Sequence, residues 1–339
     1  MKKTPQARLA QKVDFLLQPD SYPDHPTSVQ SIETHFAWVF LSDRFVYKLK
    51  KPIQFQYMDF TSLDTRRENC ELEVALNRRL ADTVYIAVVP LSLEDSRMQL
   101  EGDGRPIEWL VKMHRLPSAR MLDQAARDGS ITAPDLRRLL TRLAAFYRRS
   151  ERAPWSGTEY VRKLEQELQE YGDRLRTPHL GLRPERVERL IGAQRSFVQD
   201  KAELLGARAA AGWVVDAHGD LRPEHICLVE PPQIIDCLEF SRELRLLDCA
   251  ADIAFLVLEC ERMGHGALGR RILELYRENL GDPIAPELFR FYHSRRALIR
   301  AHLSAWHLID ENSHGTERWV RRANWYLDTA QASIDQASA

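Results

Sequence analysis

The chain has 339 residues, of which 44% are hydrophobic, and its formal net charge at pH 7 is -1. The length exceeds one average domain and the apolar fraction exceeds that of a disordered chain, so we expect one bilobal unit or two domains with a sizeable core. The near-zero charge excludes a strong field for nucleic acid or an anionic membrane, so we expect neither partner.

Strand signals dominate the chain up to about residue 113. Five β-rich runs are separated by polar turns, and one helical pattern lies between the third and the fourth run. The predicted strands cover residues 28–33, 35–41, 44–51, 84–93 and 107–114, and the predicted helix covers 64–81. The order is β-β-β-α-β-β, which predicts a small sheet covered by one helix.

Helical periodicity dominates after residue 115, with two short strands at 226–229 and 233–236. The predicted helices are at about 119–127, 134–150, 157–172, 184–206, 247–263, 266–279, 286–310 and 315–336. The sequence therefore predicts an α+β fold with two lobes and a cleft between them. The N-lobe, residues 1–113, is an antiparallel sheet plus one helix, and the C-lobe, residues 114–339, is helical.

Cysteine usage and the first residues bear on the compartment. The five cysteines are odd in number and form no C-x-x-C, which argues against a disulfide framework and a zinc knuckle. The N-terminal segment lacks the apolar run of a secretory signal. Apolar runs such as residues 253–258 are too short to span a bilayer. We therefore expect a reduced, soluble, cytoplasmic protein, and the sequence leaves its oligomeric state open.

The segment HGDLRPEHICLVEPPQIIDCLEF, residues 218–240, concentrates polar groups between short apolar runs. Asp220 can orient an attacking hydroxyl or accept its proton. Arg222 can donate two hydrogen bonds to a phosphate from a guanidinium group that is always charged. His225 can bind a metal or a phosphate, and Asp236 ends the second short strand with a hard oxygen ligand. Phosphoryl transfer needs such groups to position the nucleophile, neutralise the transferred oxygens and bind Mg²⁺.

HGDLRPEHICL resembles the catalytic loop of the protein-kinase-like superfamily, whose eukaryotic members carry H-R-D-L-K-P-E-N. The His-Gly-Asp variant and the later I-I-D are similar to the aminoglycoside phosphotransferase branch, which also holds choline kinases. The resemblance implies a bilobal protein-kinase-like fold with a catalytic loop at 218–228 and a metal strand at 233–239. It also implies that Asp220 is the catalytic base, Arg222 replaces the loop lysine, and Asp236 binds Mg²⁺.

The combination is most similar to a bacterial group that is often fused to a C-terminal P-loop ATPase. The chain contains no G-x-x-x-x-G-K-[ST]. We therefore expect that it does not include this second module.

The run RFVYKLKKP predicts the lysine that would bind ATP. Strand alternation places Val46, Lys48 and Lys50 on one face. V-x-K resembles the kinase motif V-A-I-K, which implies that Lys48 contacts the α and β phosphates and that Val46 lies against adenine. Lys50 is the alternative lysine, and a solvated strand end is the alternative to both.

The helix at 64–81 offers Glu68, Glu71 and Glu73 as a partner for that lysine. The register of Glu73 resembles that of the family's helix glutamate, which pairs with the strand lysine. The alternative is an exposed glutamate that pairs along its own helix.

Two departures from the family pattern affect the expected site. The first hundred residues contain no glycine, so no glycine-rich loop covers the phosphates. The turn Glu33-Thr34-His35 stands there instead, and it either contacts phosphate or is a plain hairpin turn. The family's metal-binding asparagine is replaced by His225, whose imidazole suits softer ions than Mg²⁺. His225 could bind the metal, contact phosphate, or have only a structural role.

Four other polar residues have alternative interpretations. His218 begins the loop and is read as structural. Glu239 could join the metal site, meet a cationic substrate, or pair with Arg242. Asp248 and Asp252 lie four apart on a predicted helix and could bind a metal. The resemblance instead implies that Asp252 anchors the catalytic loop, so structural use is favoured.

The helices over 286–336 combine arginines with aromatic residues, which is typical of some RNA-binding surfaces. Their apolar residues recur at helical spacing, so we expect a core face with the arginines outside. We expect no nucleic-acid partner.

The sequence thus predicts a phosphotransferase that uses ATP and Mg²⁺ to phosphorylate a hydroxyl of a small molecule. The alternative is a nucleotide-binding pseudokinase with a regulatory or binding role, motivated by His225 and the absent glycines. A third class is nucleotidyl transfer to a protein hydroxyl. Glu224, Glu239 and Glu243 would favour a cationic acceptor, but the sequence does not identify the acceptor.

Overall fold

The computed structural model describes residues 9–55, 58–176, 182–306 and 316–338. These residues form two compact units. The first, here the sheet unit, comprises the described part of Met1–Ser130 together with Glu224–Glu243. The second, here the helical unit, comprises the described parts of Ile131–Pro223 and Leu244–Ala339. The lobe boundary between residues 113 and 114 stays a prediction.

Twelve strands occur among the described residues. They are β1 Gln30–Glu33, β2 Ala37–Leu41, β3 Phe45–Lys50, β4 Gln54–Phe55, β5 Met58–Asp59, β6 Tyr85–Glu94, β7 Arg97–Leu100, β8 Arg105–His114, β9 Val214–Asp216, β10 Ile226–Cys227, β11 Gln233–Ile234 and β12 Leu246–Asp248.

Twelve α-helices occur in the same ranges of the chain. They are α1 Leu9–Leu16, α2 Leu63–Asn77, α3 Leu122–Arg127, α4 Ala133–Arg149, α5 Gly157–Leu175, α6 Pro184–Asp200, α7 Ala202–Ala210, α8 Arg242–Arg245, α9 Cys249–Arg262, α10 Gly266–Leu280, α11 Pro286–Trp306 and α12 Thr316–Ser338.

The main sheet has six strands in the order β1-β2-β3-β8-β6-β7, and all neighbours are antiparallel. The α+β fold class predicted from the sequence is confirmed. Strand β7 was missed because its hairpin turns at Asp95 and Ser96, both with positive φ. Glycine or asparagine usually marks such turns, so Asp-Ser gives a weak signal.

The two faces of the sheet pack against different helices because side chains alternate along each strand. Tyr47 and Leu49 of β3 lie in the core that contains residues of α1. Val46, one residue before Tyr47 and therefore on the opposite face, packs in the core that contains residues of α2. The predicted placement of Val46, Lys48 and Lys50 on one face is confirmed, since both lysines reach α2.

Helix α1 was not predicted, although Leu9, Val13 and Leu16 follow helical spacing. The helix is only two turns long, so its pattern was too short to stand out. Its buried Lys12 donates to Glu108 Oε2 at 2.8 Å, and Arg66 Nε donates to Glu108 Oε1 at 2.8 Å. This buried triad joins α1, β8 and α2.

The predicted single helix at 184–206 is wrong, because it is two helices, α6 and α7, that meet at Lys201. The break lets α7 pack closely on α5. A Cβ added to Gly157 would lie 2.8 Å from the carbonyl oxygen of Gly206. This close approach of two glycines depends on the tertiary packing of α7 against α5. The helical periodicity of residues 184–206 does not reveal such packing.

The expectation that the arginines of α11 lie outside is wrong for Arg295 and Arg296, which are buried. Arg295 forms an ion pair with Glu167 of α5. The Nε of Arg296 donates to the carbonyl of Ala251 at 3.2 Å, and its guanidinium lies over the Phe255 ring. A carboxylate of α5 and a backbone carbonyl of α9 therefore serve as partners of these two guanidinium groups. Residues 307–310 and 315 of the predicted last helices lie outside the described residues.

None of the helices in the described ranges has the length and apolar character needed to cross a bilayer. All five cysteines are buried, and none of them forms a disulfide among the described residues.

His302 is a buried titratable group in α11. Its ring lies near those of Tyr171 and Trp306, with centroids 6.3 Å and 6.1 Å away. Its Nε2 has no hydrogen-bond partner among the described residues. Burial, together with the charge of Arg174, lowers the pKa of His302 from 6.5 to about 4. The folded protein therefore disfavours the protonated ring.

This shift predicts a pH-dependent loss of stability. Because the folded-state pKa of His302 is below its ordinary value, the unfolded chain binds the proton more tightly. The contribution of His302 to the free energy of unfolding should fall by about 3 kcal/mol as the pH drops from about 6.5 to 4. We expect His302→Phe to lose less stability than the wild type over this range in urea unfolding. Measurements at pH 8 isolate the packing effect, and parallel pH profiles would contradict the prediction.

Candidate functional site

Two lysines of β3 share one glutamate of α2. Lys48 Nζ lies 2.9 Å from Glu73 Oε1 and 2.8 Å from Asp236 Oδ1. Lys50 Nζ lies 2.5 Å from Glu73 Oε2 and 2.6 Å from Glu239 Oε1. We call these five side chains the lysine–carboxylate network; all of them belong to the sheet unit.

The network follows from local structure. Lys48 and Lys50 are two apart on a strand and so face the same side. Glu73 is fully buried on α2, which excludes the alternative of an exposed helical glutamate. The structure thus places Glu73 against Lys48, as the family resemblance implied. The role of this pair in nucleotide binding stays a prediction.

The charges in the network stabilise each other. Burial alone lowers the pKa of Lys48, but the carboxylates of Asp236 and Glu73 outweigh it and hold this pKa well above its ordinary range. Burial alone raises the pKa of Glu73, but Lys48 and Lys50 bring it below its ordinary value. Both residues are therefore charged at neutral pH.

The two lysines differ in their access to solvent. The side chain of Lys48 is 16% exposed, whereas that of Lys50 is 2% exposed. Lys50 also lies over the Phe60 ring, 5.5 Å from its centroid. Lys48 is therefore the lysine that a ligand reaches more readily.

Asp236 has an unusual backbone, with φ at 61° in the left-handed region. Aspartate tolerates this conformation better than most residues. The amide of Asp236 donates to the Tyr85 hydroxyl at 3.2 Å, and that of Cys237 donates to Asn77 Oδ1 at 2.8 Å. These bonds hold the carboxylate-bearing segment against α2 and β6.

His225 lies beside Asp236, with Nε2 3.4 Å from Oδ2. A carboxylate and an imidazole fit a divalent cation that takes its other ligands from phosphate and water. The imidazole makes this pair softer than an all-oxygen set. The donors therefore fit a divalent cation, and the binding of Mg²⁺ by either residue stays a prediction.

Sequence reasoning missed Asn77 and Tyr85, which position the segment that carries Asp236. Asn77 is buried and lies one helical turn after Glu73, so the spacing is a signal that could have found it. Tyr85 begins β6, and nothing in its sequence context marks it. The pairing of Lys50 with Glu239 was also not foreseen, since Arg242 was the partner considered.

The His-Gly-Asp loop of the helical unit is held by Asp252. The carboxylate of Asp252 accepts from the amides of His218 and Gly219, each at 3.1 Å, and from the Tyr147 hydroxyl at 3.1 Å. His218 is buried and its Nδ1 accepts from the amide of Asp220 at 3.3 Å. The predicted anchoring by Asp252 and the structural role of His218 are confirmed.

The catalytic candidates Asp220 and Arg222 contact each other. Arg222 places Nε 3.2 Å and Nη2 3.1 Å from Asp220 Oδ2. This two-nitrogen contact restricts the orientation of the carboxylate. The structure brings this pair together, and its catalytic roles stay predictions.

Asp248 does not share a helix face with Asp252, because it precedes α9 and caps it by accepting from the amide of Ala250 at 2.8 Å. Arg208 donates to both of its oxygens, at 2.7 Å and 2.6 Å. The expected structural use of Asp248 is confirmed.

The turn between β1 and β2 is closed by Thr34. Its hydroxyl accepts from the amide of Ala37 at 2.9 Å and donates to the carbonyl of the same residue at 2.8 Å. These local bonds favour the plain hairpin turn over a phosphate-binding loop.

No family model matches the chain. An uncharacterised protein of Mycobacterium tuberculosis is 31% identical over 275 residues, which cover 79% of this chain and 53% of that protein. An uncharacterised protein of Mycobacterium bovis matches with the same figures. The chain thus spans about half the length of the curated relatives it matches.

Solved structures identify the fold. A choline/ethanolamine kinase family protein from Mesorhizobium loti has a TM-score of 0.52 at 13% identity, covering 95% of this chain and 94% of that chain. The GDP complex of wild-type aminoglycoside 2'-phosphotransferase-IIIa has a TM-score of 0.54 at 14% identity, covering 96% of this chain and 99% of that chain.

The chain has the fold of the aminoglycoside phosphotransferases and choline kinases. The resemblance read from the H-G-D-L and I-I-D motifs is thereby confirmed at the level of the fold.

Substituting Glu73 tests the lysine–carboxylate network. Glu73→Gln leaves two buried ammonium groups without their shared carboxylate, so we expect the free energy of unfolding to fall by about 3 kcal/mol. Urea unfolding at pH 7 measures the change. Glu71→Gln on the same helix removes a half-exposed partner of Arg67 and should cost less than about 1 kcal/mol. Equal losses in the two variants would contradict the network's importance.

Substituting Asp252 tests the loop anchor. Asp252→Asn removes the charge from two amide hydrogen bonds, so hydrogen exchange at His218 and Gly219 should accelerate by about 10-fold or more, since bonds to charged groups contribute about 1.5–3 kcal/mol. Hydrogen exchange followed by mass spectrometry measures this acceleration. Tyr147→Phe removes one bond to Asp252 but spares both amide bonds, so it should leave this exchange near the wild-type rate. Unchanged exchange in Asp252→Asn would show that the loop is held by other contacts.

Proposed function

We propose that the protein is an ATP-dependent phosphotransferase that moves the γ-phosphoryl group to a hydroxyl of a small molecule. The observation that carries the proposal is the ammonium group of Lys48, which lies 2.9 Å from Glu73 and 2.8 Å from Asp236. A strand lysine paired with a helix glutamate is the device that orients nucleotide phosphates in protein kinases. The GDP complex of a protein with the same fold supports nucleotide binding.

For the nucleotide, we assign Lys48 to binding the α and β phosphates. We assign Glu73 to positioning the ammonium group of Lys48. Its greater exposure supports the choice of Lys48 over Lys50. Val46 shares the strand face of Lys48 and is half-buried, which supports its assignment to the adenine ring.

On the metal side, we assign Asp236 and His225 to Mg²⁺. When bound, the cation supplies positive charge to the phosphate oxygens. The distance of 3.4 Å between His225 Nε2 and Asp236 Oδ2 supports the binding of one cation by both residues. The imidazole also predicts that Mn²⁺ supports turnover at least as well as Mg²⁺.

Asp220 is assigned as the base. It orients the acceptor hydroxyl and takes its proton while the hydroxyl oxygen bonds to the γ-phosphorus. The bond from that phosphorus to the β-phosphate oxygen breaks, and ADP leaves. Arg222 restricts the Asp220 carboxylate and offers positive charge to the transferred group. The anchoring of the loop through Asp252 supports a preorganised base.

His225 favours a second candidate, a nucleotide-binding pseudokinase, because it replaces the family's metal-binding asparagine. The presence of Asp220, Lys48 and Asp236 supports catalysis instead. The five buried cysteines, none of them in a disulfide among the described residues, support placing the activity in the reducing cytoplasm.

The experiment incubates the protein with ATP, Mg²⁺ or Mn²⁺ and a panel of alcohols, amino alcohols and sugars, and measures ADP release. We expect acceptor-dependent ADP release by the wild type, and Asp220→Asn to lower kcat by about 10²–10⁴-fold because the base is lost. ATP binding, measured by calorimetry, should remain in this variant. Asp200→Asn, at an exposed position ending α6, is the matched control and should keep wild-type turnover.

Three outcomes would count against the proposal. ATP binding without ATP consumption across the panel would establish the pseudokinase. Release of pyrophosphate in place of ADP would establish nucleotidyl transfer. Wild-type turnover in Asp220→Asn would remove the assigned base.

A further inference from the structure

We propose that Lys50 and Glu239 are positioning residues for the divalent cation, because their ion pair holds the segment that carries Asp236. The inference rests on the proposed function, since it concerns the metal site of that function. It assigns a task to two residues that neither touch the reacting groups nor belong to the Lys48–Glu73 pair.

The network attaches the segment after β11 to strand β3 at two points. Lys48 binds Asp236 at 2.8 Å, and Lys50 binds Glu239 at 2.6 Å. The lysines are two apart on one strand face, and the carboxylates are three apart on the facing segment. Both lysines also meet Glu73, so α2, β3 and this segment are joined by one set of charges.

The two attachments differ in their surroundings. The side chains of Lys50 and Glu239 are 2% and 11% exposed, whereas those of Lys48 and Asp236 are 16% and 39% exposed. Coulombic attraction is stronger where water is excluded. The buried Lys50–Glu239 pair is therefore the more permanent attachment. The more exposed Lys48–Asp236 pair can exchange partners at a lower cost in free energy.

This difference suits the two pairs to different tasks. A carboxylate that binds a cation must turn an oxygen away from Lys48, and Lys48 then retains Glu73. If Glu239 were absent, Lys50 would have only Glu73 as its carboxylate in the network, and it would compete with Lys48 for it. Glu239 thus keeps Glu73 available to Lys48 and keeps the segment in place while Asp236 changes partner.

The backbone of Asp236 also needs such support. A left-handed φ at a residue other than glycine persists only when its surroundings hold it. Hydrogen bonds from the amides of Asp236 and Cys237 hold the start of the segment. Glu239 adds an attachment three residues after Asp236, so the segment Asp236–Glu239 is held at both of its ends.

The experiment measures Mn²⁺ binding by electron paramagnetic resonance, without nucleotide and with a non-hydrolysable ATP analogue. We expect Glu239→Gln to weaken Mn²⁺ binding by about 10-fold, the size typical of residues that orient a metal ligand. Lys50→Met should give a similar loss, and the double variant should lose little more than either single variant, because the two residues act as a pair. Saturating Mn²⁺ should restore most of the turnover of Glu239→Gln.

Two reference variants make the result interpretable. Asp236→Asn should abolish the same Mn²⁺ binding, and Glu71→Gln, which removes an equal charge from the surface of α2, should not change it. Circular dichroism without metal checks that each variant is folded. Should a single variant not fold, the double variant, which removes both charges together, supplies the comparison with the wild type.

The inference is overturned if Glu239→Gln and the double variant bind Mn²⁺ as tightly as the wild type, or if the losses of the single variants simply add. It is also overturned if the wild type shows no Mn²⁺ binding that depends on Asp236. Failure of the proposed function looks different. In that case Mn²⁺ binding depends on Asp236 and Glu239 as expected, but no acceptor leads to ADP release.

Discussion

The burial of Glu73 between two lysines is the constraint on which the sheet unit depends. A carboxylate removed from water is stable only with charged partners in good geometry, and Lys48 and Lys50 supply them at 2.9 Å and 2.5 Å. A shift of β3 by one residue would turn both lysines to the sheet face that packs on α1. The same shift would turn Tyr47 and Leu49 to the face that packs on α2. The network therefore selects one register of strand β3, helix α2 and the segment that carries Asp236, and this register serves the proposed chemistry.

The helical unit uses the same principle in a different form. Asp252 is buried inside α9 and is satisfied by two loop amides and the Tyr147 hydroxyl. The loop with Asp220 is thus held by a carboxylate in the interior of a helix, in addition to its own bond between the Asp220 amide and His218 Nδ1. In both units a buried carboxylate positions a residue that we assign to phosphoryl transfer.

Where local patterns carry the information, the sequence predicted the fold and the placement of several side chains of the candidate site. Strand alternation placed Val46, Lys48 and Lys50 correctly, and motif resemblance identified the loop and the role of Asp252. Prediction from the sequence failed where tertiary contacts determine the structure. The break between α6 and α7, the burial of Arg295 and Arg296, and the pairing of Lys50 with Glu239 depend on residues far apart in the chain. Helix α1 was missed because it is short, and strand β7 was missed because the Asp95-Ser96 turn before it gives a weak signal.

The composition of the sheet unit has a consequence for dissecting the protein. Glu224–Glu243 belongs to this unit although 93 residues of the helical unit, Ile131–Pro223, precede it in the chain. A fragment ending at Ser130 would keep Lys48 and Glu73 but lose Asp236 and Glu239, leaving two buried cations opposite one anion. Expressing the amino-terminal part alone would therefore yield an unbalanced, aggregation-prone piece. Grafting the 20-residue segment back through a short linker would restore both carboxylates and with them the charge balance of the network.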